Sequence, residues 1–188
     1  MVKKLFDFAL LFSLVLFYTS SEINAQNYSA GTNALAGLTT GTNNTAVGDY
    51  SLFSNTSGSY NTANGSYSLY SNTSGNYNTS AGYYSLFSNT TGSQNSACGA
   101  ESLKYNTTGT NNTAVGQSAL NSNTTGSDNV AVGQIALTSN TTGEDNTALG
   151  QEALRFNTTG SYNTAVGDSA LEANTTGDNN VAIGDGSL

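Results

Sequence analysis

Side chains able to do acid–base, nucleophilic or metal chemistry are scarce in this 188-residue sequence: one thiol, Cys98, twelve scattered carboxylates, four bases and no histidine. The materials of a triad, a zinc site or a proton relay are therefore missing. No nucleophile and base recur together at any fixed spacing, no Lys follows the glycines as a phosphate loop requires, and no GxGxxG opens a helix. The expectation is a protein that is not an enzyme and that needs no cofactor or resident metal. A net charge of −8 repels a phosphate backbone and an anionic membrane surface, which excludes nucleic acid as a partner.

What the chain does have in quantity is amide, hydroxyl and aromatic ring, and these recur with a fixed period. Glycines at 31, 48, 65 and onward to 184 are spaced by 17 residues without insertion or deletion, so ten copies of one unit run from Asn27, the last incomplete. With Asn27 as position 1, position 1 is Asn, position 5 Gly and position 9 Leu in all ten copies. Positions 3 and 8 hold only Ala or Ser, position 12 is Asn in every copy that reaches it except at Leu38, position 13 is always Thr and position 15 always Gly. The sixth copy, NTAVGQSALNSNTTGSD, displays the constrained set as Asn112, Gly116, Leu120, Asn123 and Gly126.

If equivalent residues pile up at the inter-strand spacing of about 4.8 Å, Asn side chains at positions 1 and 12 can hydrogen-bond up and down the axis as amide ladders. The glycine rows typified by Gly48 and Gly58 are expected at corners needing positive φ. Leu at position 9, with Val, Leu or Ile at position 4, is expected to line the interior, and Cys98, at position 4, to be a buried small hydrophobe rather than a reactive thiol. Positions 7, 10 and 17 vary, so they face solvent. Aromatic residues gather there in copies two to four: Tyr50, Phe53 and Tyr60, then Tyr67, Tyr70 and Tyr77, then Tyr84 and Phe87. They are expected to form an exposed strip. Such a strip is either a contact surface or a set of rings that stack coil on coil and stabilise the fold.

The elements that must position these residues follow from the period. Seventeen residues are too few for a two-helix repeat, and the unit is poor in helix formers. Short runs around Thr-Ala-Val and Ala-Leu, bounded by Gly or Asn-Thr-Thr-Gly, read as strands separated by turns. Each period is thus one coil of an all-β parallel solenoid, and ten coils make a rod of roughly 45 to 50 Å. Residues 1–25 differ: Lys3 and Lys4, an apolar run from Phe8 to Tyr18, and small Ala25 before Gln26 read as a secretory signal peptide. An uncleaved N-terminal anchor is the competing reading. Residues 26–188 form the repeat domain, exported into an oxidising space where Cys98 has no intramolecular partner.

Leu, Ile, Val and Phe make up only 23 of the 163 residues after Ala25, a composition usual for disordered chains. The strict register argues instead for order, with neighbouring chains completing the core through the small residues at positions 3 or 8. Asn-x-Thr/Ser triplets arise from the repeat itself and are expected to stay unmodified.

Asn129-Val130-Ala131-Val132-Gly133, Asn163-Thr164-Ala165-Val166-Gly167 and Asn180-Val181-Ala182-Ile183-Gly184, together with the Asn-Thr-Thr-Gly corners, resemble the head repeats of trimeric autotransporter adhesins, the YadA-like β-roll. The resemblance covers 27–188. It implies a left-handed parallel β-roll, a homotrimer, display on a bacterial surface and attachment to host matrix protein, glycan, cells or abiotic surfaces, with no membrane insertion by this segment. The unit is a few residues longer than the family's usual head repeat, so an enlarged turn is expected on the Asn-Thr-Thr-Gly side. The chain stops in mid-coil with no stalk or membrane-spanning strands following, and is expected to be a fragment or the N-terminal piece of a longer product. The alternatives are a structural fibre and an ice- or carbohydrate-binding solenoid using the hydroxyl row at positions 13 and 14. That row lies beside a Gly corner and not along a flat strand face.

Overall fold

The computed structural model describes residues 27–188; the signal-peptide segment lies outside the described residues. Ten three-residue strands, from β1 (Tyr28–Ala30) and β2 (Thr45–Val47) through β3 (Thr62–Asn64), β4 (Thr79–Ala81), β5 (Ser96–Cys98), β6 (Thr113–Val115), β7 (Val130–Val132), β8 (Thr147–Leu149) and β9 (Thr164–Val166) to β10 (Val181–Ile183), form one parallel sheet in chain order. Each residue pairs with the one 17 positions on: Thr45 with Thr62, Ala46 with Ala63, Val47 with Asn64. One period is therefore one coil of a β-solenoid, as the spacing predicts.

Every strand occupies positions 2 to 4 of its coil and stops at the position-5 glycine, where φ lies at +121° for Gly48 and +131° for Gly116. A Cβ on Gly116 would sit 2.5 Å from the carbonyl oxygen of Gly133, so both conformation and space demand glycine. The rest of the coil is turn, yet its backbone still bonds from coil to coil. The amides of Thr45, Leu52, Ser54 and Thr56 donate forward to the carbonyls of Asn61, Ser68, Tyr70 and Thr73, while those of Gly48, Tyr50 and Tyr60 donate back to Ala30, Thr32 and Thr42. The reversals coincide with left-handed residues at positions 7, 9 and 17, such as Tyr50 (φ 57°), Leu52 (φ 48°) and Tyr60 (φ 59°). The turns thus belong to the same hydrogen-bonded stack as the strands, which holds L-residues in a conformation costing about 1 kcal/mol each.

The interior has three kinds of wall. Position 9 gives a column of fully buried leucines, including Leu52, Leu69, Leu86 and Leu120. Facing it are the small residues of positions 3 and 8, such as Ala114 and Ala119. The remaining walls are amide: Asn61 Nδ2 lies 3.2 Å from Asn44 Oδ1, and Asn72 Nδ2 lies 2.8 Å from Asn55 Oδ1, with the same pairing repeated along both ladders. Each amide also donates to a position-15 carbonyl, Asn61 to Gly75 and Asn55 to Gly58. Among the described residues no buried side-chain polar atom lacks a hydrogen-bond partner.

Five expectations are corrected. The run around Ala-Leu is turn and not a second strand, because the position-9 leucines are held at positive φ, as at Leu52 (φ 48°) and Leu120 (φ 51°). Position 4 points outward: Val115, Val132 and Leu149 are 41%, 38% and 37% exposed, because a three-residue strand with position 3 inside must turn 2 and 4 away from the core. Cys98 is exposed for the same reason. Gly58 is not a positive-φ corner; it is glycine because a Cβ there would meet Asn55 Oδ1 and the Gly75 carbonyl, each at 2.4 Å. Finally, the small residues of positions 3 and 8 are filled against the chain's own Leu column, so they offer no surface to a neighbour. The missing apolar volume is replaced by satisfied amides inside the chain, and the homotrimer is left resting on the family resemblance alone.

Candidate functional site

Position 7 lies in the left-handed turn after the strand and position 10 directly follows the buried leucine, so both side chains emerge on one flank of the coil. In coils two to four both are aromatic. Tyr50, Tyr67 and Tyr84 stack with ring centroids 5.2 and 5.0 Å apart and planes within 4°. Phe53, Tyr70 and Phe87 form the adjacent column at 5.2 and 5.1 Å. The columns touch across the coil at tilts of 45° to 57°, with Tyr84 and Phe87 the closest pair at 4.9 Å. These six rings form one continuous strip, each of them half-buried, so the exposed strip of eight rings expected from the sequence is corrected to six partly covered ones. Tyr60 and Tyr77, at position 17, stack on each other at 4.9 Å and interplanar 2° but form a separate column.

Because each ring covers the face of the next, the strip shows solvent its ring edges and the phenol groups of its tyrosines, not its faces. A ring edge is the positive side of the aromatic quadrupole. At the upper end coil one has Asn33 and Ala36 in the same columns, so the faces of Tyr50 and Phe53 have no ring above them. At the lower end coil five replaces the rings with Glu101 and Lys104, paired at 3.1 Å. Lys104 Nζ also lies 5.3 Å from the centroids of both Tyr84 and Tyr105, capping the column with a cation–π contact.

The electrostatics follow from this packing. Partial burial, then the neighbouring phenols and Asp49, raise the pKa of Tyr67. A side-chain hydrogen bond with Tyr83, then burial, raise that of Tyr84 against the opposing charge of Lys104. Burial alone would lower Lys104, but the hydrogen bond and charge of Glu101 hold it above its ordinary value. The raised values favour neutral phenols, able to donate and accept, at Tyr67 and Tyr84, beside a fixed ammonium at Lys104.

Sequence reasoning passed over Tyr83, 53% exposed and set edge-on to Tyr84 at 4.3 Å. Its position 6 is otherwise polar or small, and adjacency to Tyr84 was the available signal. The position-13 hydroxyls are not a free array. Thr56, Thr73, Thr90 and Thr124 each donate to the position-13 carbonyl of the next coil at 2.9 to 3.0 Å. The reference ladder lies inside the solenoid: Asn112, Leu120, Asn123 and Gly126 are buried, and Gly116 closes β6.

Comparison with protein-family models, curated proteins and solved structures finds no match for this chain. The class that the fold and its flank define is a parallel β-solenoid of 17-residue coils carrying one aromatic strip.

Proposed function

We propose that this chain is a rigid, non-catalytic attachment module, exported and displayed on a bacterial surface, in which the aromatic strip of coils two to four makes the contact. The observation that carries this reading is the placement of six stacked rings, with neutral phenols at their rim, on the flank of a backbone bonded coil to coil throughout. A surface ordered in advance loses little conformational entropy when it binds, and tyrosine supplies large contact area with a polar tip. Uncharged partners such as glycans or weakly charged matrix proteins suit it, since a chain of net charge −8 repels polyanions.

A second reading has its own support. The coils under the strip have the most polar interior: Ser51, Ser68, Ser85 and Ser102 occupy position 8 where coils six to nine have Ala, and Ser68, Ser80 and Ser85 form a buried hydroxyl cluster. The stacked rings would then reinforce a weak segment of a structural fibre. Replacing Phe53, Tyr70 and Phe87 together by Ser separates the two. Attachment of coated beads to matrix, glycan and plain hydrophobic surfaces is lost in the adhesive reading while the β-type circular dichroism persists. Retained attachment with a lowered melting temperature supports the fibre instead.

A further inference from the structure

The outward side of the sheet is a second surface, independent of the aromatic flank. Across ten strands, positions 2 and 4 place twenty side chains on it, and none of the protein's twelve acidic and four basic residues is among them. Position 2 is Thr in six coils, and position 4 is aliphatic through the last five, from Val115 to Ile183.

The hydroxyls of this face differ from those of the corner. Each position-13 threonine from Thr56 to Thr158 commits its Oγ1 to a carbonyl of the next coil. Among the described residues no position-2 threonine hydroxyl has a hydrogen-bond partner; Thr113, Thr147 and Thr164 are half-buried, each beside the outward aliphatic residue two positions on. Parallel, in-register pairing, Thr147 on Thr164 and Leu149 on Val166, fixes the side chains of positions 2 and 4 on a grid of about 4.8 Å along the axis by about 6.6 Å along the strand, with Val130 between the hydroxyls of Thr113 and Thr147. Thr and Val are stiff at χ1, so the grid exists before anything binds.

We infer that this face adsorbs to the surface of an ice crystal. The occupant must repeat regularly, accept and donate hydrogen bonds at the position-2 hydroxyls and tolerate methyl groups between them; crystalline water has that chemistry. A second copy of the chain fits less well. A face roughly 45 Å by 10 Å offers about 450 Å² per partner, or about 900 Å² in total, against the roughly 1,200 Å² at which stable interfaces begin. Burying the free hydroxyls there without matched partners is also unfavourable. A membrane fits no better, since the face has no Lys, Arg or Trp to anchor it. Each water contact is weak, but contacts made by one rigid body act together.

The test is nanolitre osmometry with crystal-growth microscopy on the purified full chain, alongside sedimentation. The expected result is faceted ice and a gap between melting and growth temperatures. The double variant V132K/T147K, which puts charge on exposed Val132 and half-buried Thr147 of the outward face, loses both with its circular dichroism unchanged. Thr125→Lys and Thr142→Lys, on the exposed column beside the Gly corner, keep both. Absence of ice shaping by the parent chain, or its survival in V132K/T147K, overturns the inference. So does a stable oligomer that V132K/T147K dissociates, which would make the face an interface between copies. The triple serine variant of the aromatic strip leaves ice shaping intact, so failure of the adhesive reading and failure of this one are separate results.

Discussion

The Asn123 side-chain amide donates to Asn106 Oδ1 at 2.8 Å, one coil away, with both residues fully removed from solvent. The same Nδ2 reaches the Gly126 carbonyl at 2.8 Å, and Asn123 Oδ1 in turn accepts from Asn140 at 2.9 Å. Only a side chain that donates and accepts on one planar amide can pass this pattern on to the next coil. Asn123→Ala would strand Asn106 Oδ1 and one N–H of Asn140, while the Gly126 carbonyl keeps the bond from Asn112 and Asn140 keeps its bond to the Gly143 carbonyl. We expect a loss of about 2 to 4 kcal/mol, from unsatisfied buried groups costing about 1 to 3 kcal/mol each, read as a shift in urea midpoint.

Asn123→Asp adds a pH signature. The carboxylate would face two acceptor oxygens in a buried site, so its folded-state pKa lies above the unfolded value of about 3.9. In the unfolded chain the group ionises freely. Stability is therefore lowest above the folded pKa and rises as pH falls through it, when the protonated acid regains a donor. Urea unfolding at neutral and at acid pH should show the variant approaching the parent only at the acid end. A variant equally stable at both would mean that the ladder does not bind the amide as described.

Gly126 and Gly184 separate two reasons for glycine. Gly126 has no positive φ, yet an added Cβ would meet the Gly143 carbonyl at 2.4 Å and Asn123 Oδ1 at 2.5 Å; at Gly184, with φ +126°, nothing lies within 4 Å. Gly126→Ala must push the Asn ladder apart and is expected to cost about 3 kcal/mol or more, in the range of buried overpacking and broken networks. Gly184→Ala meets only backbone strain of about 1 to 2 kcal/mol. Melting temperatures of the two variants should fall in that order.

The period, the strand at positions 2 to 4 and the amide ladders were legible because backbone stacking repeats identities: Asn44 stands over Asn61 in space as it does at intervals of 17 in sequence, whereas the second strand expected around Ala-Leu is turn. What was not legible was direction. Leu52 gives no sign that its φ is +48°, since leucine has no preference for that region and adopts it under the hydrogen bonds of its neighbours. A three-residue strand is likewise too short for alternation to declare itself. Val115 therefore read as interior although Ala114, one residue earlier, is the side chain inside. At the aromatic flank the stacking of Tyr50 on Tyr67 followed from register. The separation of Tyr60 and Tyr77 did not, because it depends on where the turns point.

Alkaline pH should weaken the coils beneath the aromatic strip first. The pKa of Tyr67 is raised above its ordinary 10.0, first by burial and then by Tyr84, Tyr50, Tyr70 and Asp49. The native state thus favours the neutral phenol. That contribution is whole below the unfolded pKa and is lost as pH rises through the folded one. Unfolding midpoints should fall above about pH 10, and Tyr67→Phe should flatten the fall while leaving neutral-pH stability nearly unchanged.

Cys98 gives the simplest check on which side of the strand is outside. It sits at position 4 of β5, in register with Ala81 on one side and Val115 on the other, and it is exposed. A thiol reagent should therefore label the native protein at a rate close to that of the unfolded chain, with one equivalent taken up and no change in circular dichroism. Cys98→Val continues the outward aliphatic column and, as a surface change, should alter stability by no more than about 0.5 kcal/mol. Cys98→Lys should be tolerated nearly as well, whereas Ala97→Lys, one residue earlier and buried, should abolish folding of that coil by forcing a charge and a long side chain into the space opposite the leucine column. Slow labelling of the native thiol, or tolerance of Ala97→Lys, would reverse the assignment of inside and outside for the whole sheet.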